Sequence, residues 1–120
     1  MSVDTAVVFD EAVLREITAA AVIPPWELIE MFLDDAAGSL DLMDAAIASG
    51  DRETVNRVAH SVKSSAGSVG AAKFAAQARD IEQRTKSALD VESVDLCARL
   101  RGTLDEFKQR VEADRERLSS

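Results

Sequence analysis

The single histidine of this 120-residue chain, His60, stands among small residues and valines in the segment AHSVKSSAGSVGA, residues 59–71. Lys63 follows at a spacing that places the two side chains close together on a helix surface. A neutral imidazole is a good nucleophile, and a neighbouring ammonium stabilises a phosphoryl group attached to it. His60 and Lys63 are therefore the candidate catalytic residues.

Helical geometry predicts that His60 points away from the core. With Val62 at the centre of the buried face, the other apolar residues of the segment fall within about 60° of that centre and His60 at roughly 160°. A hydrogen-bonded core histidine is therefore disfavoured. The turn after His60 carries Ser64 and Gly67 rather than the long charged residues that solvated helices prefer, which leaves the imidazole accessible to another macromolecule.

The spacing of apolar residues predicts that His60 lies on the third of five helices. The predicted helices cover, in order, about residues 10–21, 25–49, 52–70, 71–85 and 91–118. Four long amphipathic helices with short loops indicate an all-α fold, an antiparallel up-down-up-down four-helix bundle with a short extra N-terminal helix. We expect a single domain over residues 1–120, with the bundle over about 25–118.

Two finer expectations concern helix packing. The first helix should bury one side of its surface, formed by Phe9, Val13, Ile17 and Ala20. Gly102 interrupts the last helix at a cost of about 1 kcal/mol relative to alanine, and a close helix contact there is the expected compensation.

Composition excludes several classes of function. The net charge of −8 argues against binding to nucleic acid or an anionic membrane and is compatible with a partner that has a basic rim. Cys97 is the only cysteine, so we expect a buried, inert thiol and no disulfide, and one histidine without cysteine partners is too few for a metal site. No stretch approaches the roughly 20 apolar residues of a membrane span, which predicts a cytoplasmic protein.

The residues around the histidine carry a family resemblance. His60-Ser61-Val62-Lys63-Ser64-Ser65, followed by Val69-Gly70, resembles the histidine-containing phosphotransfer (HPt) domains of bacterial phosphorelays, whose pattern is His-x-Leu-Lys-Gly-Ser with a hydrophobic-Gly pair. The resemblance extends to Phe32, Gly50-Asp51, Ala59 and Ile81-Glu82. The chain departs from the pattern at Val62 and at Ser64, where the family usually has glycine. Ser64 either narrows access to the histidine or hydrogen-bonds the phosphoryl group.

The resemblance implies specific roles. His60 would be phosphorylated through Nε2, Lys63 would neutralise the phosphoryl oxygens, and Glu82 or Gln77 would be the polar neighbour on the next helix. The implied partners are response-regulator receiver domains and a hybrid sensor kinase. The chain would need no cofactor of its own, since the receiver supplies Mg²⁺, and it would act as a monomer.

Docking of a receiver requires apolar surface near the histidine. Leu28, Met31 and Leu42 lie off the core stripe of the second helix and are the candidates, together with Ser64 and Gly67 on the third. Coverage of Leu28 and Met31 by the first helix is an equally weighted alternative.

Other functions stay open at this point. The chain has no Walker A loop, so it is not expected to be a kinase or another nucleotide-binding enzyme. The alternatives are a helical adaptor that is never phosphorylated, which the loss of the family glycine favours, and a module of a chemotaxis-type kinase, although we expect a complete small protein.

Overall fold

The described part of the chain is helical, as the sequence predicts. The computed structural model describes residues 7–119, which form six α-helices and no strand. These are α1 (Glu11–Ala21), α2 (Pro25–Ala48), α3 (Arg52–Ser68), α4 (Ala72–Arg84), α5 (Val91–Ala113) and α6 (Arg115–Leu118). None of the six is long and apolar enough to cross a membrane. Residues 1–6 and 120, which the predicted domain includes, lie outside the described range.

Side-chain caps explain where two of the long helices begin. Asp51 accepts a hydrogen bond from the backbone N–H of Thr54 at 3.2 Å and caps α3. Asp90 accepts one from the backbone N–H of Ser93 at 2.8 Å and caps α5. Gly50, with a φ of 70°, turns the chain between α2 and α3. Cap and turn together determine where α3 starts.

The described helices share one apolar core. Helix α2 packs on α3, α3 on α4, α4 on α5, and α5 on α2. Phe32 of α2 meets Phe74 of α4 and Phe107 of α5 edge-on, with ring centroids 5.6 and 5.4 Å apart. Such aromatic pairs contribute about 1 kcal/mol each beyond the burial of apolar area. The most extensive contact joins α3 to α4, the two helices that carry the site described below.

The last helix is not continuous, contrary to the prediction of one helix to residue 118. Helix α5 ends at Ala113, and Asp114, with a φ of −108° and a ψ of 13°, separates it from α6. Arg110 and Arg117 both pair with the Asp114 carboxylate at this break. The change of direction lets Leu118 become fully buried, and α6 packs on α2. Burial of Leu118 thus accounts for the break.

Two residues of α5 were singled out by the sequence. The expected close contact at Gly102 is wrong, because a methyl group built there meets no atom within 4 Å. Cys97 is buried, and its burial, together with the nearby Asp44 carboxylate, raises the pKa of the thiol to about 11. The thiol is therefore protonated and unreactive at neutral pH.

Helix α1 buries a different face from the predicted one. Phe9, which precedes the helix, is buried as expected, but Ile17 is 36% exposed and Ala20 is exposed. Leu14 and Thr18 are buried instead. Thr18 tolerates burial because its hydroxyl donates to the carbonyl oxygen of Leu14 at 2.9 Å. Leu14 and Thr18 each lie about 100° further round the helix than Val13 and Ile17, so the buried face is rotated by one residue from the predicted one.

Gly70 lets the segment before α1 lie against the turn between α3 and α4. The backbone N–H of Asp10 donates to the Gly70 carbonyl at 2.7 Å, and that of Lys73 donates to the Val7 carbonyl at 2.8 Å. Gly70 has a φ of 76°, and a Cβ atom there would lie 2.1 Å from the Asp10 carbonyl oxygen. Both the backbone conformation and the close approach therefore require glycine.

Candidate functional site

His60 projects from α3 into solvent, as helical geometry predicts. The buried residues of α3 lie on its other side: Val55, Val58, Ala59, Val62 and Ala66. The His60 side chain is 63% exposed. Its Nδ1 contacts a carboxylate, whereas Nε2 has no hydrogen-bond partner within residues 7–119. The nitrogen Nε2 is therefore the one available to an incoming group.

Glu82 on α4 binds both candidate catalytic residues. Its Oε2 lies 2.5 Å from Nδ1 of His60, and its Oε1 lies 2.7 Å from Nζ of Lys63. The Glu82 side chain is 16% exposed, so this carboxylate is largely shielded from water. Lys63, expected to be exposed, is 30% exposed because the ion pair draws it toward α4. One carboxylate thus joins the imidazole and the ammonium.

Hydrogen bonds between α3 and α4 hold Glu82 in place. Asn56, one turn before His60, donates from Nδ2 to the backbone carbonyl of Glu82 at 2.7 Å. The same amide lies 3.2 Å from the hydroxyl of Thr85, which donates to the Ile81 carbonyl at 2.7 Å. These bonds fix the position of the Glu82 backbone relative to α3 and so set where its carboxylate meets His60.

The charge of Glu82 decides which nitrogen of His60 carries the proton. Lys63 holds the pKa of Glu82 below its ordinary value, and the hydrogen bond with His60 lowers it further. Glu82 is therefore ionised at neutral pH and can only accept hydrogen bonds. In the neutral imidazole, Nδ1 then carries the hydrogen that it donates to Glu82, and Nε2 keeps a free lone pair. The geometry prepares Nε2 as a nucleophile.

Small side chains surround the imidazole. Ser64 and Gly67 are exposed on the same side of α3, and a methyl group built at Gly67 meets nothing within 4 Å. The hydroxyl of Ser64 lies 3.5 Å from the carbonyl oxygen of His60, its own backbone neighbour one turn back. Because these neighbouring side chains are small, a partner protein can approach Nε2 closely.

The three predicted docking residues of α2 have different environments. Leu28 is half-buried and packs against the core. Met31 and Leu42 are 56% and 54% exposed. Helical rotation places Leu42 on the half of α2 that adjoins α3. Met31 lies nearer the outer side, where it lines a cleft with Asp34 and Ser119. Leu42 is therefore the most available of the three to a partner that approaches His60.

The structure distinguishes the two polar candidates on α4. Gln77 is buried and accepts a hydrogen bond from the Thr103 hydroxyl of α5 at 2.5 Å. Glu82 instead contacts His60 and Lys63, a role that sequence reasoning did not assign. The signal was its position one helix after the histidine, but contact across 22 residues depends on how α4 packs on α3. Within residues 7–119 no three metal-ligating side chains come together.

Comparisons with known proteins identify a family and a shared fold. The profile of the Hpt domain family matches residues 27–117. Among solved structures, histidine-containing phosphotransfer protein B (HptB) from Pseudomonas aeruginosa PAO1 superposes with a TM-score of 0.84 over 92% of this chain and 96% of that chain, at 20% sequence identity. At this identity the likeness shows a shared fold. Among curated proteins, none matches the sequence.

The fold and the match together define the class: an all-helical phosphorelay domain. The chain belongs to the Hpt domain family, because the match spans most of its length. Hpt domain proteins carry phosphoryl groups rather than act as kinases, and they interact with receiver domains and kinases in phosphorelays.

Proposed function

We propose that this protein carries a phosphoryl group between receiver-domain aspartates as phosphohistidine at Nε2 of His60. The two receiver domains are those of a hybrid sensor kinase and of a response regulator. One observation carries the proposal most directly. In the neutral imidazole, the bond between Nδ1 of His60 and the Glu82 carboxylate keeps the hydrogen on Nδ1 and leaves the lone pair of Nε2 free, on a side chain that is 63% exposed.

The transfer step balances without a proton acceptor. In uptake, the Nε2 lone pair bonds to phosphorus as the bond from phosphorus to the aspartyl oxygen breaks, and that bond's electron pair stays on the carboxylate. The hydrogen on Nδ1 remains, so the phosphorylated ring carries a positive charge that faces Glu82 at 2.5 Å. In discharge, a carboxylate oxygen of the accepting aspartate bonds to phosphorus as the phosphorus–Nε2 bond breaks, and the electron pair of that bond returns to Nε2. Glu82 therefore favours the hydrogen on Nδ1, which both uptake and discharge of the phosphoryl group require.

Lys63 supplies the countercharge for the phosphoryl oxygens. Its Nζ lies 2.7 Å from Oε1 of Glu82, one helical turn from His60. An ammonium has three hydrogens to donate, so Lys63 can keep its hydrogen bond to Glu82 and also donate one to a phosphoryl oxygen. A preorganised charge of this kind contributes up to a few kcal/mol to transition-state stabilisation. The Mg²⁺ of the reaction belongs to the receiver.

The open surface around His60 serves as the docking face. Ser64 and Gly67 allow close approach to the imidazole, and Met31 and Leu42 offer apolar contacts on the adjoining helix. The hydroxyl of Ser64 lies near a backbone carbonyl, which favours an effect on access over a bond to the phosphoryl group. Leu28 contributes only its half-exposed part.

The proposal takes the four long helices as an antiparallel up-down-up-down bundle to which α1 is an addition. The short connections and the closed ring of helix contacts support this order. We take the monomer as the working form, because His60, Lys63 and Glu82 of one chain already form the contacts that the chemistry uses.

Phosphotransfer from a labelled receiver tests this function. Wild-type protein mixed with a phosphorylated receiver domain and Mg²⁺ should acquire label that is labile in acid and stable in alkali, as phosphohistidine is. His60→Gln should acquire none while it keeps the circular dichroism spectrum of the wild type. Label on the folded His60→Gln variant would refute the proposal.

A phosphate-independent adaptor is the second candidate, because Ser64 stands where the family usually has glycine. Ser64→Gly distinguishes the two functions. Glycine should destabilise α3 by roughly 0.5 kcal/mol and, if Ser64 restricts access, should speed transfer. If neither the wild type nor Ser64→Gly accepts phosphate from any receiver yet both bind one, the adaptor is the function.

A further inference from the structure

A polar groove runs between α2 and α3 on the side of His60 away from Glu82. Ser61, the residue after His60, lies on its wall, and because Ser61 and Lys63 are two residues apart they point to opposite sides of α3. The groove has a volume of about 190 Å³ and is lined by Asp35, Ser39, Ser61 and Ser65 over a floor of Phe32, Ala36 and Val62. The groove therefore begins at the residue next to His60, within reach of a receiver that brings its aspartate to Nε2.

Asp35 is the one carboxylate of α2 that adjoins α3. Helix α2 carries acidic residues and no basic residue: Glu27, Glu30, Asp34, Asp35, Asp41 and Asp44. Helical rotation places the other five on the outer side or the α5 side. There Arg101 pairs with Asp41 and Asp44, at 3.1 and 2.8 Å. Asp35 is exposed and has no ion pair within residues 7–119.

The groove offers hydrogen-bond acceptors. The hydroxyl of Ser65 lies 3.3 Å from the carbonyl of Ser61 and donates to it, which leaves the oxygen lone pairs of Ser65 for the groove. The carboxylate of Asp35, when ionised, accepts only. Several acceptors and one negative charge match a side chain that carries several donors and a positive charge, and arginine matches best because its guanidinium has five N–H groups.

We propose that this groove receives a basic side chain, best an arginine, from the docking receiver domain, and that Asp35 selects among receivers by pairing with it. The proposal rests on the proposed function and adds a specificity residue to it. Charge complementarity supports it, because a chain with a net charge of −8 presents here a carboxylate with which no described residue forms an ion pair, beside the phosphoryl site.

Two charge-matched variants test the proposal, Asp35→Asn and its control Asp34→Asn. Asp34 is the next residue back but lies in a cleft with Lys108 and Arg115, away from α3. The probes are the phosphorylated receiver domains of the source organism, and the fastest donor to wild type is used. At low salt Asp35→Asn should lower the second-order rate constant of transfer about three- to tenfold, and Asp34→Asn less than about 1.5-fold. The rate at saturating receiver should not change, and the difference should vanish near roughly 0.5 M salt.

A charge exchange provides a second arm. Replacement of one basic residue on the docking face of that receiver by glutamate should slow transfer to wild type. The Asp35→Lys variant should restore the rate of transfer from this altered receiver. Equal effects of Asp35→Asn and Asp34→Asn, or no rescue at any basic position, would overturn the proposal while the relay stands. Phosphoramidate, a small donor, should label His60 equally in all variants. If it does so and no receiver donates to wild type, the proposed function fails and this inference fails with it.

Discussion

Replacement of Glu82 by glutamine should impair transfer more than replacement by alanine. In the wild type, the carboxylate accepts from Nζ of Lys63 at 2.7 Å and from Nδ1 of His60 at 2.5 Å. An amide has one accepting end and one donating end. Because an ammonium can only donate, the amide oxygen turns to Lys63 and the NH₂ group turns to His60. That NH₂ group donates to Nδ1, which moves the ring proton to Nε2 and removes the nucleophilic lone pair.

The size of the effect follows from the fraction of competent imidazole. Loss of the partner that orients a metal-bound histidine typically costs 10- to 100-fold in activity. We expect the same range here, with an amide that enforces the wrong tautomer at the upper end, about 100-fold. In Glu82→Ala the ring exchanges freely between tautomers, so the rate falls only with the competent fraction, by about tenfold or less. Both variants lose a partly exposed ion pair, so their free energy of unfolding should be about 0.5–1 kcal/mol lower than that of the wild type.

The assay uses the fact that the chain has one histidine. Protein labelled with ¹⁵N-histidine gives one pair of ring nitrogen resonances, so the tautomer can be assigned without ambiguity. We expect a protonated Nδ1 in the neutral wild-type ring and a protonated Nε2 in Glu82→Gln, with transfer rates in the order wild type, alanine, glutamine. A Glu82→Gln variant that keeps the wild-type tautomer, or transfers within about twofold of the wild-type rate, refutes the reasoning.

Three further predictions concern Lys63, Gly70 and Glu11. Lys63→Ala should slow phosphoryl transfer about 100-fold and change the free energy of unfolding by less than about 1 kcal/mol. A large fall in melting temperature with unchanged transfer per folded molecule would show instead that Lys63 has a structural role. Gly70→Ala should lower the free energy of unfolding in urea by about 2–3 kcal/mol, because the added methyl group meets the chain before α1. Gly50→Ala is the control and should lower it by about 1 kcal/mol, because Gly50 has a similar φ of 70° but open space around it. Equal losses in the two variants would contradict the close approach at Gly70. Arg117, assisted by Arg15, lowers the pKa of Glu11 to about 2, so the ionised carboxylate stabilises the fold above pH 4.5 and this stabilisation is lost as the pH falls toward 2. Glu11→Gln should remove this pH dependence, which is worth at most about 1 kcal/mol in an exposed pair. Thermal melts of wild type and variant between pH 7 and 2 that show the same pH dependence would contradict this prediction.

The sequence predicts the features that depend on neighbouring residues. The all-α fold and the orientation of His60 follow from helical periodicity, since the residues on one side of α3 are apolar and those around His60 are not. The cap at Asp51 follows from its side chain and its place before an apolar repeat. Such features need no knowledge of how helices pack.

Features that depend on packing were missed. Glu82 reaches His60 across 22 residues only because α4 lies against α3. Helical periodicity places Gln77 on the buried side of α4, but it does not tell which helix Glu82 faces. The burial of Thr18 depends on a hydrogen bond to its own helix, which a hydropathy pattern does not contain. The break at Asp114 follows from the burial of Leu118, a long-range contact of the C-terminal turn.

The most direct test of the central claim is the site of the phosphorus–nitrogen bond. Protein labelled with ¹⁵N-histidine is phosphorylated by a receiver domain, and the coupling between ³¹P and each ring nitrogen is measured. We expect coupling to Nε2 of His60 with the hydrogen still on Nδ1, and loss of that coupling when an unphosphorylated receiver and Mg²⁺ are added. Phosphorus bound to Nδ1, or phosphate on any other residue, would contradict it.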